Sequence, residues 1–184
     1  MTAEELWRKS GLTAQYESWS FGDAPDKLAA LVKNGVKTAT CSAYDLYQTE
    51  GEPIPKAGDY SVILDSKGEA LCIVKTTKVY VTAFDQVSQE HAYKEGEGDR
   101  SLAYWRKVHI DFLTRELAEI NKAFTKKTQV VCEEFELVYA LIPVCRYVPA
   151  WANTQVPKTV DMFLSGIGRT GMRYVPVISF PRAT

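Results

Sequence analysis

The sequence predicts an α+β domain over residues 1 to about 139, a small mixed or antiparallel β-barrel flanked by helices, and three observations carry that prediction. Tyr60 to Leu64 and Ala70 to about Val81 are β-branched runs joined by Asp65-Ser66-Lys67-Gly68, a tight-turn sequence, so they read as a hairpin. Leu102, Trp105, Val108, Phe112, Leu113, Leu117, Ile120 and Phe124 fall on one stripe of a long helix. Strands and helices do not alternate in the regular βαβ order that a parallel sheet demands.

The remaining elements follow in order. Residues 3–10 read as a short helix anchored by Leu6 and Trp7. Tyr16 to Phe21 alternates and stops at Gly22, as a strand would. Asp23-Ala24-Pro25-Asp26 starts a helix, with proline in the first turn and acids at the positive end of the dipole. Leu28, Leu31 and Val32 give its apolar face, and Asn34-Gly35 ends it. Lys37 to Cys41 reads as a strand, and Ser42-Ala43-Tyr44-Asp45 as the cap of a second short helix reaching Thr49. Phe84 to Ala92 reads as helical turns, and Glu95 to Asp99 as an acidic loop. Asp99 or Ser101 caps the long helix, and Thr128 to Tyr139 forms a last strand.

Composition bounds the function. Hydrophobic residues make up 46% and charged residues 24% of the 184, as in ordinary globular chains. No apolar run is long enough to span a membrane, and Met1-Thr2-Ala3-Glu4-Glu5 is too acidic for a secretory signal, so the expectation is a cytoplasmic protein without membrane contact. Cys41, Cys72, Cys132 and Cys145 form no CxxC pair and share no metal-ligand spacing with His91 or His109. They read as reduced thiols, with Cys72 and Cys132 in the core. Five basic residues and one acid follow Tyr139, which leaves 17 basic and 22 acidic residues in 1–139, net −5. That balance disfavours long nucleic acid held by charge alone and favours a small ligand or a local basic pocket.

Residues 140–184 differ in character. Prolines recur at 143, 149, 157, 176 and 181, and only Lys158 to Leu164 suggests a short helix. This stretch reads as a basic appendage whose composition permits partial disorder. Gly166-Ile167-Gly168-Arg169-Thr170-Gly171 fits GxGxxG, but only 13 residues follow it and none is acidic. A glycine-rich turn therefore explains it better than a dinucleotide site.

Three segments can carry chemistry. In Gly35-Val36-Lys37-Thr38-Ala39-Thr40 the glycine permits the positive φ of a helix stop, and a desolvated lysine can serve as base to a threonine nucleophile. Strict strand alternation would send Lys37 and Thr40 to opposite faces, and the commoner reading of such a lysine is a surface residue at a strand edge. In Glu95-Gly96-Glu97-Gly98-Asp99 mutual repulsion would raise at least one carboxyl for acid–base work, or Glu95, Glu97 and Asp99 would hold a hard divalent cation. A helix N-terminus collecting acids is the plainer account. Trp105 and His109 read as core residues beside Arg106, and Trp19 with Phe21 offers either a stacking face or core filling.

Taken together and in order, these pieces resemble the ASCH domain family, a branch of the PUA-like β-barrels. The matching segments are Trp19-Ser20-Phe21-Gly22, Gly35-x-Lys37-Thr38-x-Thr40, Lys56-Ala57-Gly58-Asp59, Glu90-His91-Ala92, Glu95 to Asp99, Ser101-Leu102-x-x-Trp105-Arg106-x-x-His109 and Val131 to Tyr139. GxKxxT alone is weak, whereas the series is specific, and its EGEGD and WRxxH parts are similar to a larger ASCH subgroup. The resemblance implies a barrel cleft for RNA or a modified nucleoside. Some relatives are amidohydrolases that deacetylate N4-acetylcytidine. Their lysine and threonine correspond to Lys37 and Thr40, and their glutamate, four residues past the His-Ala histidine, to Glu95. In that version Lys37 deprotonates Thr40, Glu95 protonates the leaving amine, and no cofactor is needed. Trp19, Gly35 and Arg106 would contact the ligand. Other relatives are metal-dependent ribonucleases, which would place Mn²⁺ or Mg²⁺ in the acidic loop. Still others only bind RNA, and here Lys37 and Arg106 would then hold phosphate.

Overall fold

The computed structural model describes residues 1–141 and the backbone of Val177–Ser179. Five helices and five strands make up residues 1–141: α1 (Ala3–Ser10), β1 (Glu17–Ser20), α2 (Pro25–Lys33), β2 (Ala39–Ala43), α3 (Tyr44–Glu50), β3 (Tyr60–Leu64), β4 (Ala70–Ala83), α4 (Gln89–Glu95), α5 (Leu102–Glu119) and β5 (Gln129–Leu141). The strands form a curled half-barrel in the order β1-β3-β4-β5-β2. β1 runs parallel to β3, and the other neighbours are antiparallel. The α+β class and the mixed sheet are as the sequence predicts. No helix among the described residues is long and apolar enough to cross a membrane.

Local chemistry explains the boundaries. The Thr2 hydroxyl accepts from Glu5 N–H, and the Glu5 carboxylate accepts from Thr2 N–H, a reciprocal cap that starts α1. Asp65 and Gly68 close the β3–β4 turn. β4 continues beyond β3 and pairs with β5 from Cys72 to Ala83. Its register shifts between Ile73 and Val74 and again between Thr76 and Lys78. Such bulges sharpen twist and bend the strand, which curls the sheet.

Two apolar clusters flank the sheet. Phe84, Trp105, Leu113, Leu117, Val130 and Cys132 pack beneath α5. Leu28, Val32, Ile63, Val74 and Phe135 pack beneath α2. Cys72 and Cys132 are core residues as expected, and Cys41, Cys72 and Cys132 are all free thiols.

Three boundaries differ from the sequence reading, and each has a cause. The expected helical turns at 84–92 split into a 3-10 turn, Phe84–Gln86, and α4, because Ser88 caps a fresh helix by accepting from His91 N–H. α4 then extends to Glu95, so this glutamate is a helix residue and not part of a loop. The expected strand at Lys37 starts only at Ala39, because the Leu31 carbonyl accepts from both Val36 and Lys37 N–H and holds them as the exit of α2. The readings of 158–164 and 166–171, and of the order of 140–184 beyond Leu141, lie outside the described residues.

Candidate active site

Lys37 reaches the site through its backbone. Gly35 takes φ 68° to turn the chain out of α2. Thr38 then donates its N–H to the Lys94 carbonyl at 2.8 Å, and its own carbonyl accepts from Phe135 N–H at 2.9 Å. The segment is thus clamped between the end of α4 and β5. Since Lys37 lies ahead of the ladder, the alternation that would separate it from Thr40 does not apply.

Lys37 is 1% exposed, and its Nζ donates to Glu95 Oε2 at 2.7 Å and to Glu97 Oε1 at 2.8 Å. The two glycines of the acidic segment make this double contact possible. Gly96 takes φ 73°, and a Cβ there would lie 2.5 Å from the Val36 carbonyl oxygen. Gly98 also has positive φ, and its Cβ position is occupied by the Tyr104 ring. Only glycine fits either place, so the chain folds tightly enough to aim both carboxylates at one ammonium.

Glu95 is also 1% exposed. Its Oε1 accepts from Trp105 Nε1 at 2.6 Å, with His91 Nε2 at 3.4 Å and His109 Nε2 at 3.5 Å. His109 stacks on Trp105 with ring centroids 4.2 Å apart, and its Nδ1 lies 2.9 Å from the Trp105 carbonyl. Nδ1–H therefore donates to that carbonyl, and Nε2 faces Glu95. Burial alone would raise the Glu95 carboxyl, but the Lys37 ammonium and His109 hold it well below the usual range. Burial likewise works against the Lys37 charge, yet Glu95 and Glu97 together raise its pKa. The acidic run therefore contains no raised carboxyl at Glu95, contrary to the repulsion argument, because a cation sits between the acids. It follows too that Lys37 rests as an ammonium without a free lone pair.

Lys37, Thr40, Glu95 and Glu97 open onto one cavity of about 690 Å³. Trp19, Phe21 and Phe112 give it aromatic walls, and His109 and Glu133 add polar ones. The cavity thus brings together the lysine, threonine, glutamate and tryptophan named from sequence. It does not gather the others. Gly35 shapes the approach to Lys37 without lining the cavity. Arg106 donates to the Asp85 carbonyl at 3.2 Å and is absent from the cavity wall. Asp99 accepts from Ser101 N–H at 2.8 Å, while Ser101 itself caps α5. Glu95, Glu97 and Asp99 do not converge on one point. The donors that do converge among the described residues are Cys41, Glu95 and His109, within 4.8 Å of one another.

The model of the ASCH domain matches residues 17–139, which contain every side chain of this cluster. The chain belongs to the ASCH domain family. A solved ASCH domain from Lactobacillus crispatus is 29% identical over 73% of this chain and 92% of its own, with a TM-score of 0.69. A protein from Enterococcus faecalis is similar too, at 38% identity over 73% of this chain and 84% of its own, TM-score 0.66. No curated protein matches. Within this ASCH domain, His109 and Glu133 are cavity residues that sequence reasoning assigned to the core or passed over. For His109 the available signal was its place between Trp105 and Leu113, four residues from each along the buried stripe. For Glu133 it was its strand parity with the apolar Val131 and Phe135, which the neighbouring Glu134 and Glu136 lack.

Proposed function

We propose that this ASCH protein is RNA- or nucleoside-directed, and that it admits a modified nucleoside to the cavity and hydrolyses its exocyclic amide, in the manner of an N4-acetylcytidine amidohydrolase. One observation carries the reading: a buried Lys37–Glu95 contact of 2.7 Å and Thr40 line one cavity of nucleoside size. Trp19 and Phe21 supply a stacking wall for a base. The net charge of −5 over residues 1–139 favours a small substrate over a polyanion.

Thr40 Oγ attacks the acyl carbon, forming an O–C bond as its O–H bond breaks and the proton passes to a base on the cavity wall. The Lys37 ammonium stabilises the charge that develops on the carbonyl oxygen. As the C–N bond breaks, a proton passes from Lys37 through Glu95 to the departing amine, the two groups already being in hydrogen-bond contact. Water then attacks the acyl-threonine, and its proton returns along Glu95 to Lys37.

The test is a screen of acylated nucleosides and short single-stranded RNAs, with and without Mn²⁺ or Mg²⁺. The expected result is metal-independent release of the acyl group, abolished in both Lys37→Ala and Thr40→Ala proteins that remain folded. Normal turnover by either variant sinks the assignment. Chelator-sensitive RNA cleavage would select the ribonuclease reading instead, and affinity without product would select a binding module.

A further inference from the structure

The acyl-transfer reading needs an acceptor for the proton of Thr40. Lys37 is poorly suited to take it, because as an ammonium it already carries three protons and two of its N–H bonds point at carboxylates. The acceptor must lie on the same face as Thr40, within a hydrogen bond or one water of its hydroxyl. Glu133 meets that condition by register. It is the direct antiparallel partner of Thr40 across β2 and β5, and both residues line the cavity. Direct partners share a face, with Cβ atoms about 4.5–5.5 Å apart.

The environment of Glu133 suits a base. The residue is only 7% exposed, and Oε1 is fixed by the Thr76 hydroxyl, which donates to it from β4. Its other oxygen has no protein partner among the described hydrogen bonds. The titratable groups around it are Glu17 from β1, Asp59 ahead of β3 and Tyr47 from α3. None is a cation, so nothing in that shell locks the carboxylate as Lys37 locks Glu95. Thr76 orients the group without neutralising it.

We propose that Glu133 is the general base that deprotonates Thr40, a catalytic role separate from the Lys37–Glu95 proton donor and resting on the acyl-transfer reading above. The Thr40 proton moves to the Glu133 carboxylate as the O–C bond forms, and it returns to the Thr40 oxygen when water releases the acyl group. Lys37 loses one proton to the amine and regains one from water, so both pairs end as they began. Burial, with Glu17 and Asp59 nearby, raises the Glu133 carboxyl above its ordinary 4.5, against the opposing hydrogen bond from Thr76, and so brings its basicity toward what a hydroxyl needs.

Labelling by phenylmethanesulfonyl fluoride tests this without knowledge of the substrate. The Thr40 oxygen bonds to sulfur, fluoride leaves, and the proton goes to the base; mass spectrometry reads the adduct at Thr40. In the full-length wild-type chain the rate is expected to rise with pH through an acid limb lying above 4.5. Glu133→Gln, which is isosteric and keeps an oxygen for Thr76, should slow labelling by about 10²–10⁴-fold, the usual range for a lost general base. Wild-type labelling by Glu133→Gln, or no Thr40 adduct in the wild type, overturns the proposal. Should Glu133→Gln fail to fold, the wild-type profile decides alone, because a rate without that acid limb is equally fatal. Labelling that depends on Glu133 in a protein that deacylates nothing would remove the hydrolase reading and leave the base. Deacylation undiminished in Glu133→Gln would do the reverse.

Discussion

Replacing Lys37 with methionine keeps most of the side-chain volume and removes the charge. Glu95 and Glu97 then face each other's charge with no cation between them, one fully buried and the other 17% exposed. Breaking a buried ion pair on one side costs about 3–5 kcal/mol, because an uncompensated charge is left in a poorly solvated place. For a chain of this length each kcal/mol lowers the melting temperature by about 2–4 °C, so Lys37→Met should melt roughly 6–20 °C below wild type near neutral pH. The pH dependence has a definite sign. In the wild type the Glu95 pKa is depressed, so its contribution is present above the unfolded carboxyl value of 4.5 and fades as pH falls through the lower folded value. In Lys37→Met the cation is gone and burial dominates, so the carboxyl is raised and the variant loses stability as pH climbs through that folded value. The gap between the two proteins should be smallest near about pH 4 and widest near about pH 8. Urea unfolding at several pH values measures it. Adding Glu95→Gln to Lys37→Met should restore part of the loss, since the buried charge is then removed with its partner. A gap below about 1 kcal/mol at neutral pH, or one that does not change with pH, would refute the account of Lys37 as a buried ammonium between two carboxylates.

Two further perturbations probe how the cluster is held. Gly96→Ala places a methyl group 2.5 Å from the Val36 carbonyl oxygen at φ 73°, so it should cost more than the roughly 1–2 kcal/mol of a left-handed alanine alone, measured by thermal melting. A melt within error of wild type would mean that the tight turn is not needed. Trp105→Phe removes the 2.6 Å donor to Glu95 while keeping most of the ring, and should cost about 1.5–3 kcal/mol, the range for a hydrogen bond to a charged group. Its loss should be largest above the carboxyl pKa and shrink in acid, where protonated Glu95 needs the donor less; a uniform loss across pH would assign it to packing.

The sheet and helices were legible because hydrophobic period and turn chemistry are local. The β3–β4 hairpin needed only two β-branched runs and Asp65 to Gly68, and the stripe on α5 fixed which face of that helix meets the sheet. The site was less legible, for a reason that Lys37 illustrates. Its identity as a candidate came from the Gly35 to Thr40 segment, but its protonation state is set by Glu95 and Glu97, which are 58 and 60 positions away. Pattern reasoning treated the three acids as neighbours that repel, and could not see a cation folded between two of them. Glu133 shows the same limit from the other side. A carboxylate between Cys132 and Glu134 reads as one of several acids in a strand, and only the β2–β5 register sets it opposite Thr40.

The two glutamates therefore divide along physical lines that spacing cannot express. Glu95 is buried with a cation and is held ionised. Among the described residues Glu133 is buried without one, its carboxyl is raised, and its one hydrogen-bond partner is a neutral hydroxyl. One fold thus places a buried ion pair and a carboxylate with no cation partner among the described residues on the same cavity as Thr40. On the acyl-transfer proposal the nucleophile loses a proton and the leaving amine gains one, and the two carboxylates are suited to opposite halves of that exchange.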